Sequence, residues 1–234
     1  MEVETTPAAF RPDLVERGIV IRTEGLWKTY EMGAEPVHAL RGVDLEIRKG
    51  EYVAIMGPSG SGKSTLLSFI GGFLEPAFHA EGSVSVGGVD ILALAPEQRR
   101  AGILFQDPLL FPHMSVGANV AFAIPGEVSD RKVRRRMAAD ILCEMELAGF
   151  EDRDPATLSG GQKARVALAR VLVSQPRLLL LDEPFSKLDM ALRHQMRALV
   201  FARARSAGLP VILVTHDEAD AEAAGGPVHR LGDQ

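Results

Sequence analysis

The run Gly57-Pro-Ser-Gly-Ser-Gly-Lys-Ser-Thr65 decides the fold of this 234-residue chain. It matches the pattern GxxxxGK[ST] and stands between a strand-like run, Tyr52 to Met56, and a helix-forming run, which is the context that this pattern requires. Its glycines let successive backbone N–H groups converge on one concavity, and the following helix adds its positive N-terminal end. The run therefore predicts a loop that cradles a polyphosphate between a strand and a helix.

Two side chains of this loop are predicted to act directly on the bound group. Lys63 would reach the terminal phosphates as a point charge, and the hydroxyl of Ser64 would be a ligand of Mg²⁺. The rest of the predicted cradle consists of Gly57, Pro58, Ser59, Gly60, Ser61, Gly62 and Thr65.

A pair of carboxylates, Asp182 and Glu183, follows the apolar run Leu178 to Leu181 far downstream of this loop. Such a run predicts a strand buried on both faces, and acidic groups at its end are costly unless a cation or a substrate compensates them. Asp182 is therefore predicted to hold Mg²⁺, directly or through water. Glu183 is predicted to be the general base for an attacking water.

The run Leu158-Ser-Gly-Gly-Gln162 stands just before another helix-forming segment. Ser159 can cap that helix, while Gly160 and Gly161 leave backbone N–H groups uncovered. The run predicts a second anion-binding helix end, to which Gln162 also belongs. The alternative is an ordinary N-cap without a ligand.

Strand-like and helical patterns alternate along most of the chain, which predicts right-handed crossovers and a parallel sheet in an α/β core. Residues 1–18 lack any period and are predicted to be a flexible tail. We expect a single domain over residues 19–234, with a helical insertion at about 107–155. After that insertion the patterns predict a helix over Ala164 to Val173, a strand over Leu178 to Asp182 and a strand over Val211 to Thr215.

One helix of the insertion is predicted between Ser129 and Gly149. Its run of Arg134, Arg135 and Arg136 is predicted to be a solvated face. Cys143 on the same helix is predicted to be a core-facing thiol. The buried stripe is predicted to consist of Val133, Met137, Ile141, Met145 and Ala148.

Composition excludes several classes of protein. With 26 Lys and Arg against 31 Asp and Glu, the net charge of −5 disfavours a nucleic-acid partner. The lone Cys143 excludes an intramolecular disulfide and a CxxC pair, and it favours a reducing compartment. The N-terminus predicts no secretory signal. No apolar run approaches the ~20 residues of a membrane-spanning helix, so any membrane role must come through a partner.

These motifs in this order resemble the ATP-binding subunits of ABC transporters, from Ile19 to about Ala224. The resemblance implies an α/β P-loop NTPase of the ABC type, with a mainly parallel sheet core, an N-terminal antiparallel β subdomain and a helical subdomain. It implies that ATP and Mg²⁺ are the cofactors and that the protein is an ATP hydrolase.

The resemblance also implies roles for residues outside the phosphate loop. Tyr30 would stack on adenine, Gln106 would contact Mg²⁺ and the attacking water, and His216 would be the switch histidine near the γ-phosphate. The run from Leu158 would contact ATP held by the opposite subunit of a head-to-tail dimer. Ser186 to Asp189 would link the two ATP sites.

The family implies partners as well: transmembrane permease subunits and a periplasmic or extracellular solute-binding protein, with this subunit peripheral on the cytoplasmic face of the membrane. The stretch Phe111 to Phe122 resembles importer subunits, nearest to short thiamine-, iron-, sulfate- or polyamine-type subunits that lack a C-terminal regulatory domain. The stretch Trp27 to Leu40 instead resembles lipoprotein-release and efflux ATPases. Cell-division and soluble scaffold-assembly ATPases of the same family remain alternatives.

Two features depart from the family pattern. Lys187 replaces a small residue in the loop that links the two sites, which could change the communication between them. The segment EDRDPAT, residues 151–157, lacks an aromatic-Pro pair that many importers carry. Neither departure falls on a predicted phosphate or metal ligand.

Overall fold

A computed structural model of the chain describes residues 18–32, 35–48, 51–58, 60–73 and 80–231. Its central element is a five-stranded parallel sheet in the order β6-β7-β8-β3-β9. The strands of this sheet are β3 (Tyr52–Met56), β6 (Ala101–Leu104), β7 (Leu178–Asp182), β8 (Val211–Val214) and β9 (Val228–Arg230).

A four-stranded antiparallel sheet in the order β2-β1-β4-β5 comes mainly from the N-terminal part of the chain. Its strands are β1 (Ile19–Met32), β2 (Glu35–Arg48), β4 (Ala80–Val86) and β5 (Val89–Asp90). On β2, Leu45 and Ile47 are buried while the neighbouring Asp44 and Glu46 are exposed, the alternation of a strand with one face on a core. The α/β class with a parallel core and an N-terminal antiparallel sheet is confirmed.

Seven helices and a 3₁₀ turn are found in the described ranges. The turn is Pro155–Thr157, and the helices are α1 (Lys63–Gly71), α2 (Pro96–Arg99), α3 (Val116–Phe122), α4 (Arg131–Glu144), α5 (Gly160–Val173), α6 (Met190–Ser206) and α7 (Glu218–Ala224). In this part of the chain, none of these helices has the length and apolar character needed to cross a bilayer.

The strand β7 shows how the core is divided. Leu179 and Leu181 join an apolar cluster with α5 and α6, whereas Leu178 and Leu180 join a second cluster with α1 and the antiparallel sheet. Alternate residues of a strand point to opposite faces, so a strand covered on both sides must be apolar throughout. The prediction of a doubly buried strand is correct.

The buried stripe predicted for α4 is right for Met145, which is fully buried, and wrong in part for the rest. The buried residues of this helix are Ala138 and Leu142, and the helix ends at Glu144, so Ala148 lies beyond it and is exposed. A stripe spaced by four residues drifts around the helix, because one turn takes only about 3.6 residues. Cys143 is exposed, which contradicts the prediction of a core-facing thiol, because it lies roughly 100° around the helix from Leu142.

Arg134 also corrects the prediction of a solvated arginine face. Its guanidinium donates to four backbone carbonyls, those of Ala121 at 2.7 Å and of Ile124, Pro125 and Val128 at 3.0 Å. The last carbonyls of a helix lack intrahelical partners, and the five donors of a guanidinium can satisfy several of them. The side chain therefore closes the C-terminal end of α3, while Arg135 and Arg136 are exposed as predicted.

Two predictions about domain organisation, the flexible tail and the helical insertion, stay predictions. Of the predicted tail, residues 1–18, all but Gly18 lie outside the described residues. The predicted insertion, residues 107–155, contains α3 and α4 between the parallel strands β6 and β7.

Candidate active site

The loop between β3 and α1 folds around the side chain of Lys63. The Lys63 Nζ donates to the carbonyls of Gly57 and Pro58 at 2.8 Å each and lies 3.4 Å from the Ser61 hydroxyl. Lys63 is 8% exposed, so its charge is held inside the loop by neutral oxygens. Ser59, predicted to belong to this loop, lies outside the described residues.

Gly57 and Gly62 of this loop have backbone conformations that other residues rarely adopt. Gly57 has φ 154°, and a Cβ there would lie 2.3 Å from the carbonyl oxygen of Leu231. Gly62 has φ 87° and caps α1 without a side-chain hydrogen bond, so no side chain covers the first N–H groups of the helix. Gly57 thus lets the loop pack against the backbone at Leu231, and the uncovered N–H groups after Gly62 are suited to an anion.

A hydrogen bond joins this loop to the end of β7. The Ser64 hydroxyl donates to Asp182 Oδ1 at 3.1 Å, although the two residues are 118 positions apart in sequence. Burial raises the pKa of Asp182, and repulsion by Glu183 adds to the rise, while the Ser64 hydrogen bond and the charge of Lys63 oppose it. A hydroxyl and a carboxylate this close together supply the oxygen ligands that Mg²⁺ prefers, and substrate phosphates usually complete such a site.

Glu183 and His216 meet where β7 and β8 end. Glu183 Oε1 lies 3.2 Å from His216 Nδ1, and the backbone N–H of Glu183 donates to the carbonyl of Val214 on β8. Glu183 has φ 45°, a strained value for a residue other than glycine. Since β7 and β8 are parallel neighbours, their carboxyl ends bring these two predicted residues together.

Ser159 begins α5 with reciprocal hydrogen bonds. Its hydroxyl accepts from the N–H of Gln162 at 3.3 Å, and the Gln162 side chain accepts from the N–H of Ser159 at 3.0 Å. Ser159 and Gly160 are exposed, while Gly161 is buried against Leu192. The predicted cap is confirmed, and the run faces solvent at its start.

Two further residues, Gln106 and Tyr30, were predicted to belong to the site. Gln106 is exposed in the loop after β6. Tyr30 lies on β1 opposite Val37, and its side chain is outside the described part of the chain. Among the described residues no group of three or more His, Cys, Asp or Glu side chains could hold a metal ion.

Lys187, the departure from the family pattern, has a definite partner. Its ammonium group lies 2.5 Å from Asp107 Oδ1, and both side chains are more than half exposed. The pair connects the loop after β7 with the loop that carries Gln106.

The sequence predictions did not single out Arg193 on α6. Its guanidinium donates to the carbonyls of Phe185 and Ser186 and pairs with the carboxylate of Asp217. The available signal was its spacing from Arg197, one helical turn further on, which places two cations on one side of α6.

Similarity to known proteins agrees with this arrangement. The family model for ABC transporters matches residues 40–186. The Escherichia coli K12 protein described as "Uncharacterized ABC transporter ATP-binding protein YnjD" is 48% identical over 184 residues, which are 79% of this chain and 84% of that protein. The spermidine/putrescine import ATP-binding protein PotA of Frankia alni is 44% identical over 202 residues, 86% of this chain and 43% of its own length. The chain thus spans less than half of that PotA protein.

A solved structure gives the same result for the fold. The ATP-binding cassette MJ0796, determined as a dimer in a post-hydrolysis state with ADP and Pi, matches with a TM-score of 0.78 and 36% identity over 91% of this chain and 94% of that one. Because the family model covers more than half of the chain and the relatives agree in sequence and fold, the chain belongs to the ABC transporter ATP-binding proteins, a family that binds and hydrolyses ATP.

Proposed function

We propose that this chain binds ATP with Mg²⁺ at residues 57–65 and hydrolyses it to power a membrane importer. The observation that carries the proposal is the hydrogen bond between Ser64 and Asp182, which joins the phosphate loop to the end of β7 beside the buried Lys63. Three groups suited to a nucleotide's phosphates and its cation are thereby already assembled in a single chain.

Lys63 would exchange its bonds to loop carbonyls for the terminal phosphates of ATP. The present bonds are to neutral carbonyl oxygens, whereas a phosphate would add the attraction between a full negative charge and the ammonium group. Ser64 and Asp182 would hold Mg²⁺, which when bound would neutralise charge on the phosphates. The glycines at 57, 60 and 62 would let the backbone come close to the phosphate chain.

Glu183 is the base in this proposal. Its carboxylate would take a proton from the attacking water, and His216 at 3.2 Å would orient that carboxylate and stabilise charge at the γ-phosphate. Gln106 would contact Mg²⁺ and the water from the loop after β6, and Tyr30 would stack on adenine. The role of Glu183 follows from its place after the buried strand, and those of His216, Gln106 and Tyr30 follow the family resemblance at matching positions.

A second copy of the chain would complete each ATP site. Ser159, Gly160, Gly161 and Gln162 form an exposed helix start whose N–H groups suit an anion, which supports a contact with ATP held on the partner. The structurally similar cassette MJ0796 was solved as a dimer, and this similarity supports a dimer of the present chain. Residues 19–234 would form the cassette, with the helical subdomain at about 107–155.

Import is favoured over export because several relatives carry the name of spermidine/putrescine import ATP-binding proteins. The partners would be permease subunits and an extracytoplasmic solute-binding protein, with this chain on the cytoplasmic face of the membrane. A polyamine is the solute that these names suggest for a first transport assay.

The variant Glu183→Gln tests this proposal. It keeps the shape of the side chain and removes the base, so ATP affinity should be retained while turnover falls by about 100-fold or more. Binding is measured by calorimetry, turnover by phosphate release, and the oligomeric state with ATP by light scattering. We expect the variant to accumulate as an ATP-bound dimer.

Glu222→Gln is the matched control, because it makes the same change of side chain at an exposed position of α7. It should hydrolyse ATP at the wild-type rate. Wild-type turnover in Glu183→Gln would refute the role of Glu183, and absence of ATP binding by the wild-type chain would refute the function as a whole.

A further inference from the structure

The guanidinium of Arg193 spans two loops that the parallel sheet presents side by side. From α6, its Nε donates to the carbonyl of Phe185 at 3.0 Å and a terminal nitrogen donates to the carbonyl of Ser186 at 3.2 Å, both in the loop after β7. Another terminal nitrogen pairs with Asp217, in the loop after β8. One rigid planar group therefore fixes the distance between the two loops.

These contacts form a closed ring that includes Glu183 and His216, the pair proposed to act on the attacking water. Ser186 donates to the carbonyl of Glu183 from its N–H at 3.2 Å and from its hydroxyl at 2.9 Å. Asp217 directly follows His216, whose Nδ1 lies 3.2 Å from the Glu183 carboxylate. The chain of contacts thus runs from Glu183 through Ser186, Arg193 and Asp217 to His216 and back to Glu183.

The far side of the ring is itself held firmly. Asp217 accepts from the N–H of Ala219 at 2.8 Å and caps α7, and its own N–H donates to the hydroxyl of Thr215 at 3.1 Å. Burial alone would raise the pKa of Asp217, but the Ala219 N–H and the charges of Arg197 and Arg193 outweigh it and lower the pKa. The ionised form of Asp217 is therefore favoured, and it can form the ion pair with Arg193.

Burial makes this ion pair more than a surface contact. The side chains of Arg193 and Asp217 are 21% and 26% exposed. Partly buried pairs are screened less by salt than exposed ones, and a guanidinium with three acceptors has little freedom to turn. Lysine could not replace it, because a single ammonium lacks the planar fork that reaches both carbonyls and the carboxylate.

We propose that Arg193 is a positioning residue for ATP hydrolysis, which holds Glu183 and His216 in register by tying Ser186 to Asp217. The inference rests on the proposed function, since it assigns Arg193 to the site that Glu183 and His216 form there. Arg193 touches neither ATP nor water in this role. It acts through the two loops, so its loss should change the chemical step and leave nucleotide binding in place.

The test measures kcat, KM and the ATP dissociation constant of Arg193→Gln. We expect kcat to fall about 10- to 100-fold, since misplacing a catalytic group by about 1 Å can cost 100-fold, while KM and the dissociation constant stay within about twofold. Arg193→Lys should recover only a small part of the rate. Arg203→Gln removes an ion pair of the same helix that touches neither loop, and it should hydrolyse ATP like the wild type.

A second measurement separates positioning from a general loss of structure. In the His216→Ala background the ring is already open, so Arg193→Gln should lower kcat by about twofold or less. An equal fold loss in both backgrounds would overturn the proposal, as would a loss of ATP affinity parallel to that of kcat.

A third measurement does not depend on turnover. The imidazole resonances of His216, assigned with His216→Gln, should shift in Arg193→Gln and stay unchanged in Arg203→Gln. Unchanged His216 resonances in Arg193→Gln would overturn the inference even if the wild-type chain hydrolyses ATP. A shift in a chain that hydrolyses no ATP would refute the proposed function and leave the contact ring intact.

Discussion

The two predicted phosphate-binding regions differ in how complete they are within one chain. Around the loop after β3, a buried Lys63 is enclosed by carbonyls and Ser64 bonds to Asp182 from a distant strand. At the start of α5, Ser159 is exposed and its polar groups are satisfied by Gln162 of the same helix turn. The first region is a site assembled by the fold, and the second is a local cap that faces outward.

This difference teaches where each region obtains its affinity for an anion. A buried cation and a preformed concavity act strongly because the low local dielectric preserves their electrostatic interactions. An exposed helix end competes with water and gives only a modest stabilisation by itself. The first region should therefore bind ATP in the monomer, and the second should act only when a partner covers it.

The largest effect on ATP affinity is expected when the first region loses the ammonium group of Lys63. Lys63→Ala should weaken ATP binding by about 100-fold, roughly the 1.5–3 kcal/mol of a charge-assisted hydrogen bond. Calorimetry with purified protein measures it, and Lys132→Ala, which removes an exposed lysine of α4, serves as the control. Equal affinities of Lys63→Ala and the wild type would erase the distinction between the two regions.

The next effect concerns the outward-facing cap. Ser159→Arg should prevent the ATP-induced dimer and leave ATP binding to the monomer unchanged, because the bulky cation is added to the surface that would meet the partner. Light scattering with and without ATP measures it. Ser159→Ala removes the cap alone, which costs about 1 kcal/mol of stability, and separates lost capping from lost docking. A normal ATP-dependent dimer of Ser159→Arg would contradict the second role.

A smaller effect is expected on thermal stability, through the pH-dependent charge of Asp182 in the first region. Burial raises the pKa of Asp182, so the folded state disfavours its ionised form relative to the unfolded state. Asp182→Asn should therefore raise the Tm at neutral pH without Mg²⁺ by a few degrees. The gain should shrink as the pH falls through the raised pKa and be absent below the ordinary value of 3.8.

Thermal melts over a series of pH values, with Asp152→Asn as an exposed control, measure this gain. The same variant should lose the extra stabilisation that Mg²⁺ and ATP give to the wild type. A lower Tm of Asp182→Asn at neutral pH would contradict the cost that burial places on the ionised carboxylate of Asp182.

The smallest effect is expected at Lys187. Its ion pair with Asp107 is exposed on both sides, and such pairs contribute about 0–1 kcal/mol. Lys187→Ala should change Tm by a few degrees at most and turnover by less than about twofold. Turnover measured at low and high salt checks this, and a tenfold loss would move Lys187 from the surface into the catalytic apparatus.

The local patterns predicted much of the fold and of the candidate site. The run from Leu178 predicted β7 with its observed bounds, and α1 begins one residue after Gly62, where the glycine-rich loop ends. Ser159 caps α5 as predicted, although the helix begins four residues earlier than Ala164. These features depend on periodicity, glycine conformations and capping, all of which are written into neighbouring residues.

Side chains that bridge distant segments were not predictable in this way. Arg134 reads as one of three solvated arginines, yet it closes the end of α3, and Cys143 faces solvent because the buried stripe lies one residue away. The ring through Arg193 needs the loops after β7 and β8 to lie side by side, which only the strand order decides.

The amino-acid sequence by itself therefore determined the loop chemistry, the class of fold and the order of the motifs, because these depend on short local patterns and on their succession along the chain. The tertiary structure alone decided that Ser64 meets Asp182, that His216 meets Glu183 and that Arg193 ties their loops together. Such contacts arise from the packing of whole strands and helices, since the sheet sets which carboxyl ends become neighbours.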